Sequence, residues 1–483
     1  MKEQKLKSLL QTKLLETGFR VKPIRNAIFQ YLDHYAFNSI VKGNTNHRLR
    51  KVQEDKYAMV SAIINAGRRG FNKKLIGENV GKRLFDNLFG RSFMKTNEHF
   101  YEFCEKYGMH PPSFLVLSPT VACNLRCEGC YANSSEAQRS TLPYSIVKRV
   151  LREKVDLWGS HFTVISGGEP FLYRSEGKNI FDIFRENLDQ VFLVYTNGTL
   201  CDEETAKILG ELGNITPAIS VEGFEEETDR RRGKGTFKKI VEGMEYLRKY
   251  GVPFGISTTA TRENWDVLTD EKFWDFFFNQ MGALYQWIFQ YMPIGRGHRV
   301  DMMVTPEQRM KMYERTWRAI RERKYFIADF WNCGVASDGC ISAGAAYGGG
   351  YIYVTWTGDV TPCVFNPFKV DNIIDVYKKG GNLNTVLFSP YFEDIRRWQR
   401  RYYDDKPLDE MGNLIAPCPI RDHFKELKQI LIKHKAVPVD PVDTKLLQDG
   451  KLEEKIHEYD TAFMKLSDPV WEKDYIKANS NRE

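Results

Sequence analysis

The stretch Phe114-Leu-Val-Leu-Ser118-Pro-Thr-Val-Ala-Cys123-Asn-Leu-Arg-Cys127-Glu-Gly-Cys130-Tyr131 decides how the chain is read. Its first five residues are a short apolar run, the pattern of a buried strand. Three cysteines follow at C-x3-C-x2-C spacing. The chain holds nine cysteines, and composition alone produces that spacing with odds on the order of one in 300. Three thiolates on one tight loop bind a soft metal. Structural zinc asks for a fourth ligand at finger-like spacing, and none follows nearby. Three ligands alone suit a [4Fe–4S] cluster with one iron left open to a substrate or cofactor.

Outward from this loop, short apolar runs alternate with charged, helix-patterned segments. After FLVLS (114–118) come FTVIS (162–166), VFLVYT (191–196), ITPAISV (215–221), VPFGISTTA (252–260) and YQWIFQYMP (285–293). Between them lie segments such as YSIVKRVLREKVDLWG and FKKIVEGMEYLRKYG. The alternation predicts parallel strands with right-handed helical crossovers. A sheet of this kind presents its ligands at the C-terminal strand ends, where the cysteine loop lies.

The flanks read differently. Residues 1–112 show helical periodicity in KLKSLLQTKLL, NAIFQYLDHYAFNSIV, YAMVSAIINA and KRLFDNLFGRSFM. Residues 1–100 carry 20 Lys+Arg against 8 Asp+Glu, a balance of +12. The whole chain has 70 and 63, so the remainder carries 50 and 55, a balance of −5. A local basic patch suggests an anionic partner or a solvated helical surface. No run of about 18 apolar residues offers a spanning helix. The N-terminus lacks a signal-peptide pattern, so a reducing, cytoplasmic setting is expected, with peripheral contact at the inner membrane face. From about Tyr325 to Phe424 the chain is rich in Gly, aromatics and Cys, with YIYVTW, Thr357-Gly358-Asp359 and VTPC patterned as a β-hairpin. The charged tail, 425–483, is expected to begin helical and end loose.

The cysteine loop and the segments after each strand resemble the radical S-adenosylmethionine (radical SAM) superfamily. Ser166-Gly167-Gly168-Glu169-Pro170 resembles its GGEP motif, which implies a place for the amino group of the SAM methionine. Thr196-Asn197-Gly198-Thr199 is similar to its TNG segment, and Ser220-Val-Glu222-Gly223 stands where relatives often show S-L-D-G. Asp229-Arg-Arg-Arg232-Gly233-Lys-Gly235 resembles R-x-R-G-x-G. The resemblance implies that Ser220 and Arg232 bind the SAM carboxylate, with Arg230 and Arg231 as alternatives. It places Tyr131 near the adenine and makes Ser257 and Thr259 ribose candidates. The implied fold is α/β: a partial (β/α)6 barrel over 113–324, behind a basic helical N-terminal domain (1–112).

A second cysteine set, Cys333-x6-Cys340-x22-Cys363-x54-Cys418, supplies the four ligands of a further [4Fe–4S] cluster, with structural zinc as the alternative. Its surroundings resemble the SPASM and twitch extensions of radical SAM enzymes, which implies a small α+β auxiliary domain over 325–424. The resemblance is loose. Gly339-Cys340-Ile-Ser-Ala-Gly344 has one extra residue, and Gly358-Asp359 reverses the usual Asp-Gly. Relatives that mature sulfatases carry an Asp after the residue equivalent to Cys363, where this chain has Val364. Cys104 and Cys201 stand alone.

The resemblance implies an oxidoreductase-type enzyme that takes an electron from reduced flavodoxin or ferredoxin and cleaves SAM. The resulting 5′-deoxyadenosyl radical would abstract hydrogen from an unactivated carbon. The basic N-terminus directs the first substrate expectation to a lipid at an anionic membrane surface. The alternative is a maturase of a ribosomally made peptide or protein. A more distant one is a non-catalytic metal-binding protein that contacts nucleic acid; in the enzyme readings no nucleic acid is expected.

Overall fold

The computed structural model describes residues 21–44, 48–87 and 98–480. Six parallel strands form its centre: β1 (Phe114–Leu117), β2 (Phe162–Ile165), β3 (Val191–Thr196), β4 (Ile215–Ser220), β5 (Gly255–Ala260) and β6 (Tyr285–Gln290), in that spatial order. They are the six apolar runs read from the sequence. Their side chains are buried on both faces, as parallel strands covered by crossover helices must be. Sequential order with every neighbour parallel is the curved arrangement of a (β/α)6 unit.

The sheet continues beyond those six. A seventh strand, β7 (Phe326–Asp329), pairs parallel with β6. At the other edge, β8 (Tyr351–Val354) pairs parallel with β1, in the register Phe114↔Tyr351 to Leu117↔Val354. Then β9 (Asp359–Thr361) and β10 (Asp371–Asn372) complete a ten-stranded sheet. The antiparallel β8–β9 pair is the expected hairpin. Residues 113–324 and 325–424 therefore share one sheet, although the sequence divides them at Tyr325. The four residues of β7 are too few to show periodicity; only the exposed edge of β6 selects them as a strand.

The helical reading of residues 22–112 holds in α1 (Lys22–Phe37) and α2 (Arg50–Asn72) and in the shorter helices Glu78–Leu84 and Glu98–Tyr107. The segment KLKSLLQTKLL and the end of KRLFDNLFGRSFM lie outside the described residues. Helix α2 is built into the body. Its Val52, Ala58, Ala62 and Ala66 are buried. Buried Asp55 accepts from Lys51 Nζ (2.6 Å), Arg321 Nη2 (2.7 Å) and Tyr475 Oη (2.7 Å). Lys56 pairs with Asp338 at 2.5 Å, and Arg48 pairs with Asp404. Three of the 20 basic residues that suggested an anionic partner, Arg48, Lys51 and Lys56, are thus paired within the chain. No helix among the described residues is long and apolar enough to cross a membrane.

The expectation of a loose tail is corrected over the described residues. Helix α3 (Gly450–Trp471) runs on through Glu472–Lys477. Phe463, Trp471 and Tyr475 are buried, and the hydroxyls of Tyr475 and Tyr313 lie 2.6 Å apart. An apolar stripe on a charged helix docks it, whatever its place in the sequence.

Helix α3 also carries Asp460, whose Oδ1 has no partner while Oδ2 accepts from the backbone of Phe424. Burial, with help from neighbouring Asp422, pushes this carboxyl from its ordinary 3.8 up to about 8. The folded chain therefore holds a proton that the unfolded chain releases, and stability falls as pH rises between those values. Asp460→Asn should flatten that fall and raise stability at pH 8, measured by chemical denaturation across the range.

Candidate active site

The cysteine loop leaves β1 and is held from two sides. On one side the turn after β2 is zipped to it by backbone hydrogen bonds. Ser166 N donates to Leu117 O (2.9 Å), Gly168 N to Thr120 O (2.9 Å) and Glu169 N to Ala122 O (2.8 Å). This approach leaves no room for side chains. A Cβ on Gly168 would stand 2.2 Å from Ala122 O; one on Gly167, at φ +115°, would stand 2.5 Å from Thr120 O. On the other side, Arg296 donates from its backbone to Cys130 O (2.9 Å) and from its guanidinium to Cys127 O (2.6 Å) and Ser134 O (2.5 Å).

Cys123, Cys127 and Cys130 line one cavity of about 290 Å³ at the C-terminal strand ends. Tyr131, Ser166, Gly167, Gly168 and Asn197 lie on its wall, as do Ser220, Arg232, Ser257 and Thr259. Polar hydrogens approach the sulfurs. Leu125 N lies 3.4 Å and Asn197 Nδ2 3.8 Å from Cys123 Sγ, and Arg232 Nη1 lies 3.9 Å from Cys127 Sγ. Such donors favour thiolate. Burial pushes the Cys123 thiol up to about 12, so this thiolate depends on a cationic partner.

Several roles are sharper than their sequence reading. The Tyr131 hydroxyl lies 2.7 Å from Ser166 Oγ and accepts from Gly167 N at 3.3 Å, so it ties the loop to the turn. Glu169 is fully buried behind the cavity wall. Its carboxylate accepts from Thr196 Oγ1 (2.9 Å), Asn197 N (2.8 Å) and Phe171 N (3.2 Å). It holds the TNG segment under the turn, and burial pushes it up to about 7. Asn197 also donates to Asn124 Oδ1 (2.8 Å), which orients the loop.

Of the three arginines, Arg230 turns outward to Glu263 at 3.6 Å, whereas Arg231 and Arg232 reach the cavity. Both are anchored by Glu222, a buried carboxylate that the sequence reading named in a motif but gave no role. Arg232 Nε donates to its Oε1 at 2.8 Å and Arg231 Nη1 at 2.5 Å, while Thr259 N donates to Oε2 at 3.1 Å. The available signal was an acidic residue two positions beyond the end of β4, ahead of three arginines.

The four later cysteines line a second cavity of about 260 Å³, which Met59 and Ile63 of α2 also line. All four thiols are pushed up by burial. Cys418 N donates to Asp422 Oδ2 (3.2 Å), and Asp422 pairs with fully buried Arg309 at 2.5 Å. The indole N–H of Trp331, on the same wall, has no partner in the protein. An acceptor inside the cavity would satisfy it.

Residues 117–274 match the family described as the Radical SAM superfamily. These residues form a radical SAM domain. The AdoMet-dependent heme synthase of Methanosarcina barkeri is 29% identical over 286 residues, 54% of this chain and 79% of the relative. A cysteine-type anaerobic sulfatase-maturating enzyme of Clostridium perfringens is 32% identical over 171 residues, 32% of this chain and 45% of the relative. The structure of Streptococcus suis SuiB bound to precursor peptide SuiA superposes with TM-score 0.50 at 18% identity. That match covers 66% of this chain and 74% of that one, and the likeness is one of fold.

A radical SAM enzyme works with a [4Fe–4S] cluster and SAM, and the donor set fits. Among the described residues no three His, Cys, Asp or Glu side chains converge on a single ion. Thiolates that ligate separate irons of a cluster stand farther apart than the ligands of one zinc. Gly168→Ala should push the turn away from the loop. Anaerobically reconstituted variant should bind less iron than wild type at unchanged far-UV circular dichroism; a full iron complement would refute the zipper's role.

Proposed function

We propose that this radical SAM enzyme modifies a side chain of a ribosomally made peptide or protein, and that Cys333, Cys340, Cys363 and Cys418 hold a second [4Fe–4S] cluster. The supporting observation is the partition between the two cysteine-lined cavities. Trp287, Phe330, Ile341 and Phe365 line both. A substrate against this wall lies between the SAM site and the second cysteine set. When bound, SAM supplies the 5′-deoxyadenosyl radical that takes a hydrogen atom from substrate carbon.

The chain's own residues do the rest. Arg231 and Arg232, held by Glu222, put positive charge where a SAM carboxylate would lie. Ser257 and Thr259 line the same cavity and would offer hydroxyls to the ribose. Aromatic walls exclude water and competing hydrogen donors. Among the described residues, the two arginines are the only charged side chains on the first cavity's wall, and Val364 lies there too. The cavity therefore offers no carboxylate base at the place where sulfatase-maturing relatives have one. Reduced flavodoxin or ferredoxin is the proposed electron donor.

The maturase reading is supported by relatives named as maturases. Besides the sulfatase-maturating enzyme, these include the sporulation killing factor maturation protein SkfB of Bacillus subtilis. None of the comparisons favours a lipid substrate, and the pairing of the N-terminal charges removes part of its motive. A heme-forming reaction is the second reading, favoured by the longer match to the heme synthase.

Anaerobic reconstitution should load about eight irons per chain, falling to about four in Cys340→Ala. With dithionite and SAM the enzyme should release 5′-deoxyadenosine. Release stimulated by iron-coproporphyrin III would favour the heme-forming reading, and about four irons in wild type would remove the second cluster.

A further inference from the structure

The first cavity does not stop at the C-terminal strand ends. Phe114 and Val116 of β1, Phe162 and Val164 of β2, Leu193 and Tyr195 of β3, and Trp287 and Phe289 of β6 all line it. In each strand these are alternate residues, so theirs are the side chains that point into the barrel. Phe114 and Phe162 begin their strands and pair in register. At about 3.3 Å per residue, the cavity therefore runs about 10 Å down the barrel interior. Toward β5 the interior is filled. The Tyr285 ring lies over Gly255, where a Cβ would stand 2.2 Å from it, and the Tyr285 hydroxyl is 2.8 Å from Thr216 Oγ1.

Tyr195 brings a polar atom into this apolar space. Its ring meets Phe289 edge-on with centroids 5.4 Å apart, and Phe289 packs on Phe330 and Phe365 of the partition. Although β3 lies inside the sheet, Tyr195 is only half-buried, and the surface it keeps opens on the cavity. Its hydroxyl makes no hydrogen bond among the described residues and is not sealed off by its neighbours. Tyr131 and Tyr291 also line the cavity, but Ser166 and Gly167 engage the first hydroxyl and the Arg299 N–H the second. Burial pushes the Tyr195 phenol up, so it stays a neutral donor. In register Tyr195 pairs with Ala218, two residues before Ser220, and Ser220 pairs with Ser257. Tyr195 thus stands about 7 Å further down the strands than the layer of Ser220 and Ser257.

We propose that Tyr195 is a specificity-determining residue: its hydroxyl donates a hydrogen bond to a carbonyl or similar oxygen acceptor on a substrate group that is otherwise apolar and enters the barrel interior. The inference rests on the reading of this cavity as the substrate site. The aromatic and aliphatic wall supplies affinity for such a group, and one placed hydroxyl fixes how it turns toward the SAM end.

The test uses reconstituted enzyme with SAM and no reductant, with acetophenone and α-methylstyrene as probes in equilibrium dialysis. The two share one shape, and only acetophenone carries the acceptor. Tyr195→Phe should weaken acetophenone about threefold to tenfold and leave α-methylstyrene within about twofold, at constant iron content and SAM affinity. Retained α-methylstyrene binding shows that the variant's cavity is intact. Equal effects on both probes, no effect on either, or binding of neither by wild type overturns the proposal. Weaker SAM binding by Tyr195→Phe also overturns it, by assigning the hydroxyl to the cofactor. Release of 5′-deoxyadenosine stimulated by iron-coproporphyrin III, alongside the expected probe discrimination, sinks the maturase reading and leaves the role of Tyr195 standing.

Discussion

Three backbone hydrogen bonds between the turn at 166–169 and the segment 117–122 hold the site together. The cysteine loop has no regular secondary structure, so something outside it must define its path. The turn does so through the N–H groups of residues 166, 168 and 169, and contact at that range excludes any Cβ at 167 and 168. Two glycines are therefore a steric requirement of the cysteine loop's path. Tyr131, Asn197 and Arg296 then lock the loop to the turn after β2, the end of β3 and the segment after β6. Thiolates presented on a path fixed from three directions are preorganised for a cluster.

Buried charge is handled by the same logic of full pairing. Glu222 takes two guanidiniums and a backbone N–H; Asp422 takes Arg309 and the N–H of Cys418; Asp55 takes a lysine, an arginine and a tyrosine. Each carboxylate joins segments far apart in the chain. Asp55 ties the basic N-terminal helix to Arg321 and to Tyr475, so the two ends of the chain brace the region that carries the second cysteine set. Removing one partner from such a pair leaves an uncompensated charge at a cost of about 3–5 kcal/mol.

The strands, the three-cysteine loop and the residues after each strand were legible because each signal is local. Apolar runs mark strands, and thiol spacing marks a loop suited to holding metal. The roles within the site were less legible. The motif resemblance assigns Glu169 to an ammonium, and the fold adds that its carboxylate also holds the TNG segment from behind. Three consecutive arginines are equivalent on paper, but helical rotation sends one out to Glu263 and two inward to Glu222. Strand β7 and the docked tail were missed because four residues show no period and because a charged helix hides its apolar stripe.

Sequence alone determined the parallel β/α order and the thiol sets, which follow from spacing along the chain, and carried the motifs that resemble the radical SAM superfamily. Only tertiary structure decided what the spaces between segments contain. It joined the auxiliary segment to β1 as β8, turned the basic helix α2 into a wall of the second cysteine cavity, and placed aromatic residues from β6, the end of β7 and the loop after β9 on one partition. It also left the indole N–H of Trp331 without a partner in the protein. Whether a polar atom is satisfied depends on neighbours that folding brings from elsewhere, and no local pattern records them.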